Sequence, residues 1–250
     1  MEMIEIDNEL LESTDIIHNW IIQLLISSFI AHGFLDFITF FPKFSDNISW
    51  YTSLTILFTL LMINIPSISI LFFIGVSMYH FGEDFRYMFS NKKETTRWGG
   101  ATLFGSSVIF GFNTWKETLI WMNVSNPEIL CYSVLFMIVP SLFHICDSPY
   151  SIIVPFIIGL GRPSPALILY ATCIHSPLAI YRYIKNINNK YEKIGCITIW
   201  LSGTIIVFIF YPYIENIISP LTINVGIGIV MSHVLYVTGW QINNLENKIS

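Results

Sequence analysis

Apolar and polar positions fall along this chain in long blocks rather than in short alternations. Runs dominated by Ile, Leu, Phe and Val cover roughly 17–41, 49–64, 66–88, 100–112, 128–147, 150–160, 165–184, 195–213 and 221–241. A helix needs about 20 apolar residues to cross a bilayer, and several of these blocks reach that length. The pattern predicts an all-α polytopic membrane protein, a bundle of about seven to nine transmembrane helices. The runs at 100–112 and 150–160 are short for a crossing and read as re-entrant or tilted. Pro42, Pro66, Pro127, Pro149, Pro165 and Pro220 stand at run edges, where a missing N–H costs least. Pro140, Pro155 and Pro177 stand inside runs and predict kinks. With no polar linker between runs, residues 1–250 read as one transmembrane domain. A short acidic tail covers 1–16 and a C-terminal tail 242–250.

Composition strengthens this reading. Of 250 residues, 54% are hydrophobic and 12% charged, and the mean hydropathy is +0.63; a soluble domain carries about 25% charged residues. The N-terminus (Glu2, Glu5, Asp7, Glu9, Glu12, Asp15) lacks the basic region of a cleavable signal, so the first apolar helix is expected to act as signal-anchor. No basic stripe exists for nucleic acid. Eight of the twelve Lys and Arg residues fall in two stretches: Arg86, Lys92, Lys93 and Arg97, then Arg182, Lys185, Lys190 and Lys193. The positive-inside rule places both in the cytoplasm. The N-terminus is then outside and the C-terminus cytoplasmic, with both short runs crossing or neither. Cys131, Cys146, Cys173 and Cys196 lack paired spacing and read as small core residues.

Against this background the stretch Met78 to Phe85 is costly. His80, Glu83 and Asp84 follow directly on an apolar run, and such groups persist in lipid only when they face the protein interior and meet partners. Of six histidines, five lie within apolar runs: His32, His80, His144, His175 and His233; His18 sits at the mouth of the first. Carboxylates shadow three. Asp36 follows His32 by four residues, Asp84 follows His80 by four, and Asp147 follows His144 by three; these spacings share a helix face. One such histidine is ordinarily an interhelical hydrogen-bond partner. Five with three carboxylate companions favour a shared metal or proton-handling site in the bundle. With Arg86 and Arg182 assigned to the basic loops at the run ends, no intramembrane cation is left to neutralise Asp36, Glu83 and Asp84, which favours a bound metal ion. An all-imidazole donor set without thiolate suits Fe(II), Zn or Cu. An apolar substrate and O₂ chemistry at Fe(II) fit a site deep in lipid. Tyr79, Phe81, Phe85 and Tyr170 flank the histidines and are candidates to line a path for such a substrate.

The boxes also carry a resemblance. His32-Gly33-Phe34-Leu35-Asp36 matches the HGxxD box of the Brp/Blh family of membrane β-carotene 15,15′-dioxygenases. Tyr79 to Asp84 resembles that family's HFG box with its following aspartate. Tyr170 and His175-Ser176-Pro177 resemble its late HSP segment, and Ser232-His233-Val234 lies where its last helix carries a histidine. The order of the boxes and the chain length agree. The resemblance implies a non-haem Fe(II) enzyme that cleaves the central double bond of β-carotene with O₂, giving two retinal molecules. It further implies a functional link to a retinal-binding rhodopsin. It carries His32, His80 and His175 over as catalytic, iron-binding residues. The His–Asp spacing, apart from the resemblance, suggests Asp36 and Asp84 as orienting His32 and His80, with Tyr79, Phe81 and Tyr170 as the expected substrate contacts among the flanking aromatics. One departure is plain. Where the family places a second histidine four residues after His175, this chain has Ala179. His233 is the expected substitute, with His144 or a three-histidine centre as alternatives.

Two other readings compete. A carotenoid-binding relative without activity would tolerate Ala179. A proton-coupled transporter would use the His/Asp pairs as a relay, though no inverted repeat supports one. A desaturase is disfavoured by the lack of HxxxH and HxxHH clusters. An opsin is excluded because no lysine lies inside an apolar run to form a Schiff base.

Overall fold

The computed structural model describes residues 44–89, 94–160, 170–217 and 220–249, with 23, 24, 27, 30, 31, 33 and 167 as isolated positions. His18, His32 and Asp36 lie outside the described residues, as do Pro42 and Pro165. What is described is all-helical, with no strand. Helix α1 spans Phe44–Asn64 and α2 Pro66–Met88. A 3-10 turn, Glu94–Arg97, leads into α3, Trp98–Trp121. Then come α4 (Pro127–Phe136), α5 (Ile138–Leu142) and α6 (Pro149–Leu160). A π-helical turn, Ala171–His175, opens α7, Ser176–Asn186. The long helices α8 (Lys190–Ile217) and α9 (Pro220–Ile249) follow.

Proline sets several of these starts. Pro66, Pro127, Pro149 and Pro220 each open their helix, where the absent N–H was unpaired in any case. The chain reaches Pro127 through Asn123 and Asn126, both left-handed at φ 59° and 55°; asparagine tolerates that conformation better than most residues. The expected run at 128–147 is broken at Met137 into α4 and α5, three residues before Pro140.

The run expected to be short at 100–112 is a 24-residue helix, α3, bent at Gly111. At 1.5 Å per residue it is about 36 Å long. It extends further because Thr114, Trp115, Lys116 and Glu117, which ended the apolar pattern, continue the helix; Lys116 pairs there with Glu128 across the turn to α4. α6 keeps the short length expected at 150–160. The tail assigned to 242–250 is largely helical, since α9 continues to Ile249.

α3 is the centre of the packing. It lies against α2, α4, α5 and α6, while α1 packs chiefly on α9. Glycine makes the closest of these contacts. A Cβ on Gly100 would strike the carbonyl of Met78, and one on Gly82 the carbonyl of Arg97. α2 therefore meets the start of α3 backbone to backbone, the approach that small residues allow between helices. Met62, Ile74, Phe104, Val108, Leu119, Cys131 and Val134 fill the main core. Cys131 and Cys196 are core residues as expected, but Cys146 and Cys173 are exposed.

Among the described residues one helix, Lys190–Tyr211, is long and apolar enough to cross a membrane, and only 22% of its apolar window is buried. The other apolar segments are shorter: Ile48–Asn64, Pro127–Leu142, Pro149–Ile158 and Asn224–Val237. The large outward surface of this fold is nonetheless apolar. Phe143, Phe136, Tyr150, Ile68 and Ile129 are among many large side chains left uncovered.

Candidate metal centre

Three imidazoles meet near the C-terminal half of α2. His80 comes from α2, His175 from the π turn and His233 from α9, and one nitrogen of each lies within 4.8 Å of the others. His80 and His175 are almost completely buried. Their Nε2 atoms stand 3.3 Å apart, and the His233 ring lies edge-on to His80 at 5.7 Å.

The position of His175 is a product of the π turn. Pro177 has no N–H for the carbonyl of Cys173, and its ring would crowd that carbonyl in a regular α-helix. The preceding turn widens, and Ser176 N–H bonds to the carbonyl of Ala171, five residues back. In a regular α-helix Tyr170 and His175, five apart, would point about 140° away from each other. A turn closed i to i+5 brings them onto one face, and such turns recur at functional sites. Both then reach the same atom. His175 Nδ1 is 2.7 Å from Asp84 Oδ2, and the Tyr170 hydroxyl donates to Asp84 Oδ2 at 3.2 Å.

Asp84 therefore has a different partner from the one its spacing predicts. One turn below His80 on the same face, it was expected to orient His80; its side-chain hydrogen bond from an imidazole comes from His175, on another element. This fixes the tautomer of His175 through the network. Nδ1–H donates to the carboxylate, so Nε2 carries a bare lone pair aimed at His80 Nε2. Two ring nitrogens at 3.3 Å need a proton or a cation between them. Two nitrogens bound to one ion at about 2.1 Å stand roughly 3.0–3.4 Å apart for angles between square and tetrahedral, so the pair fits a shared metal ion. The donor set, neutral imidazoles without thiolate, suits Fe(II), Zn or Cu.

α9 is brought to the site by its packing on α1. Gly228 lies against Thr55 and Thr59, so closely that a Cβ would clash. Ser232 Oγ, beside His233, is 2.9 Å from Thr55 Oγ1, and Tyr51 donates to the carbonyl of Ile229 at 3.2 Å.

The aromatic candidates divide. Phe81 lies against the centre, its ring 4.9 Å from that of His175 and 5.9 Å from that of His80. Tyr170 is packed between Phe81 and Phe85, at 5.3 and 5.4 Å, with its hydroxyl on Asp84. Tyr79 sits elsewhere, its ring under the guanidinium of Arg97 at 4.9 Å, because successive helical positions diverge by about 100°. His144, an alternative ligand, is not in the cluster; it stacks on Trp98 and faces Asp147 at 3.9 Å.

The expectation that no cation neutralises the carboxylates is overturned for Glu83 and Asp84; Asp36 lies outside the described residues. Arg182 Nη2 lies 3.1 Å from Asp84 Oδ1. Glu83 pairs with Arg97 and, at 3.6 Å, with Arg86. These arginines belong to the two basic stretches, whose charge pattern reads as a topology signal and conceals that the side chains fold back onto α2. One trace of Arg182 was present in the sequence. It follows His175 by seven residues, two helical turns, so the two share a face, with Ala179 between them.

Residues 41–164 match the family model described as beta-carotene 15,15′-dioxygenase. Over that segment the chain is similar to this family. The dioxygenase segment carries α1 to α6, with His80, Phe81 and Asp84; His175, Arg182 and His233 lie beyond it. The family's name sets the broad function as carotenoid cleavage, and the histidine cluster is a group able to hold a metal. No curated protein and no solved structure matches the chain.

Proposed function

We propose that this protein is a multi-pass membrane enzyme that cleaves the central double bond of β-carotene with O₂, giving two molecules of retinal, at a non-haem Fe(II) centre. The observation that carries this reading is the convergence of His80, His175 and His233 from three separate elements in a chain whose residues 41–164 match the beta-carotene 15,15′-dioxygenase family model. His80, His175 and His233 would hold the iron, and His32, oriented by Asp36, would join them from the N-terminal segment. Bound Fe(II) supplies the site for O₂ activation. The residues supply position: Asp84 holds the His175 ring with Nε2 facing His80, and Phe81 presents an aromatic face to the middle of a polyene. Burial keeps water from the reacting bond.

The membrane setting rests on the many large apolar side chains left uncovered and on the apolar segment Lys190–Tyr211. Arg97 and Arg182, from the two basic stretches, both meet the end of α2. That supports one shared side for both stretches; the positive-inside rule would make that side cytoplasmic, with the N-terminus outside and the C-terminus cytoplasmic. The substrate would enter from the bilayer, and the retinal would serve a rhodopsin.

Expression in cells that accumulate β-carotene, followed by chromatography of the pigments, tests the proposal. Retinal should appear as β-carotene falls, and His80→Ala should abolish both changes. Unchanged carotene without retinal sinks the enzymatic reading. Carotene that co-purifies uncleaved with the protein would favour the binding-only relative that Ala179 permits, and transport without cleavage the carrier.

A further inference from the structure

Arg182 has no role at the metal centre in the function proposed above, yet its guanidinium reaches the carboxylate that orients His175. Its Nη2 lies 3.1 Å from Asp84 Oδ1 and donates to the backbone carbonyl of Glu83 at 3.0 Å. Its guanidinium also lies over the ring of Tyr87, 4.6 Å from the centroid. The contacts fall on Glu83, Asp84 and Tyr87, within one turn of α2, so the planar guanidinium is fixed in both position and orientation. Arginine suits this role because its donors form a rigid fork and its charge is permanent.

The carboxylate it holds is the one that holds His175. Asp84 is fully buried, and its two oxygens are divided. Oδ1 faces Arg182, while Oδ2 takes His175 Nδ1 and the Tyr170 hydroxyl. A carboxylate gripped on one oxygen alone can rotate about χ2, and Oδ2 would then swing away from the imidazole. With Arg182 on Oδ1 the plane is set, Oδ2 remains on Nδ1, and His175 Nε2 remains 3.3 Å from His80 Nε2. Arg182 and His175 lie seven residues apart on one continuous helical segment, so the same segment supplies both the imidazole and the clamp on its orienting carboxylate.

We infer that Arg182 is a positioning residue for the metal centre: acting through Asp84, it sets the orientation of the His175 ring and with it the affinity of the imidazole cluster for a divalent ion. This rests on the metal-site reading above and adds to it a residue on which that reading does not depend. Outer partners of this kind change metal affinity by about 10- to 100-fold when removed.

The test is titration of the purified, detergent-solubilised full chain with Co(II), followed by its visible absorption, which reports both affinity and ligand geometry. Arg182→Met should weaken Co(II) binding about 10-fold or more and alter the absorption band, measured on protein whose helicity matches the wild type. The same substitution on an Asp84→Asn background should add less than about twofold, because the route through Asp84 is already cut. Should Arg182→Met fail to accumulate, Arg182→Lys decides. A lysine lacks both the planar group that lies over Tyr87 and the length that carries Nη2 to Asp84 and the Glu83 carbonyl, so a loss of about threefold or more is expected. Wild-type affinity and spectrum in the variant that folds would overturn the inference, as would equal losses with and without Asp84. A wild-type chain that binds no Co(II), or a His80→Ala variant that binds it as tightly, would instead sink the metal-site reading itself.

Discussion

Two His–Asp pairs in this molecule look alike in sequence and come to opposite ends. His80 with Asp84, four residues apart, and His144 with Asp147, three apart, each sit at the end of an apolar run. His80 is 4% exposed and Asp84 0%, and both face groups from other helices. The His144 and Asp147 side chains are 32% and 58% exposed, stand 3.9 Å apart and look outward, the imidazole lying on Trp98. The spacing therefore did not make the site. What differs is the neighbourhood. α2 is covered by α3, pressed against it at Gly82 and Gly100, and by the segments bearing His175 and His233, whereas His144 stands in the short turn between α5 and α6. Even within the productive pair, the carboxylate serves a histidine other than its own.

The comparison is most sharply broken by removing a ligand from each side. His175→Ala should abolish retinal formation and stoichiometric metal, whereas His144→Ala should leave both near wild type; metal analysis of the two purified variants reads the contrast. Loss of metal in His144→Ala would return it to the candidate ligands. Next in size is the exchange of carboxylates. Asp84→Asn should weaken Co(II) binding about 10- to 100-fold and Asp147→Asn by less than about twofold in the same titration.

The covering of α2 comes third. Gly100→Ala places a methyl against the Met78 carbonyl and should destabilise the protein by about 1–3 kcal/mol, read as a lower midpoint of thermal unfolding. Gly195→Ala, where a Cβ meets nothing, should not. His233 is a fourth point of attack. His233→Ala should reduce Co(II) affinity, and adding Ala179→His, one turn after His175 on its face, should recover part of the loss. No recovery would show that position 179 does not reach the cluster. The smallest effect is the stability cost of His144→Ala, about 0.5–1.5 kcal/mol for the lost stack on Trp98, in the same melting experiment.

Much of the helical frame is legible without coordinates. Pro66, Pro127, Pro149 and Pro220 mark helix starts because proline's ring and missing N–H are harmless only there. The polar stretch at 80–84 marks the interior face of α2, since such groups in an apolar run need partners. The turn before Pro177 is legible as a disturbance but not as a π turn, because the choice between a kink and a widened turn depends on what Tyr170 and His175 can reach. Arg182 and Arg97 escape the sequence for a related reason. Long side chains carry charge several ångströms from their backbone, and their position in a basic stretch hides where the guanidinium ends.

That this chain is helical and greasy, that His80, His175 and His233 need buried partners, and that position 179 offers no ligand can all be read from the order of its residues. Those properties are local: they follow from side-chain chemistry and from the periodicity of the backbone around each residue. Which histidines meet, that Asp84 serves His175 rather than His80, and that an arginine from a distant basic stretch closes the other side of that carboxylate all depend on the folded packing. Those outcomes depend on how closely helices approach and on how far one turn is widened, and a shift of an ångström or a rotation of 100° is enough to change them.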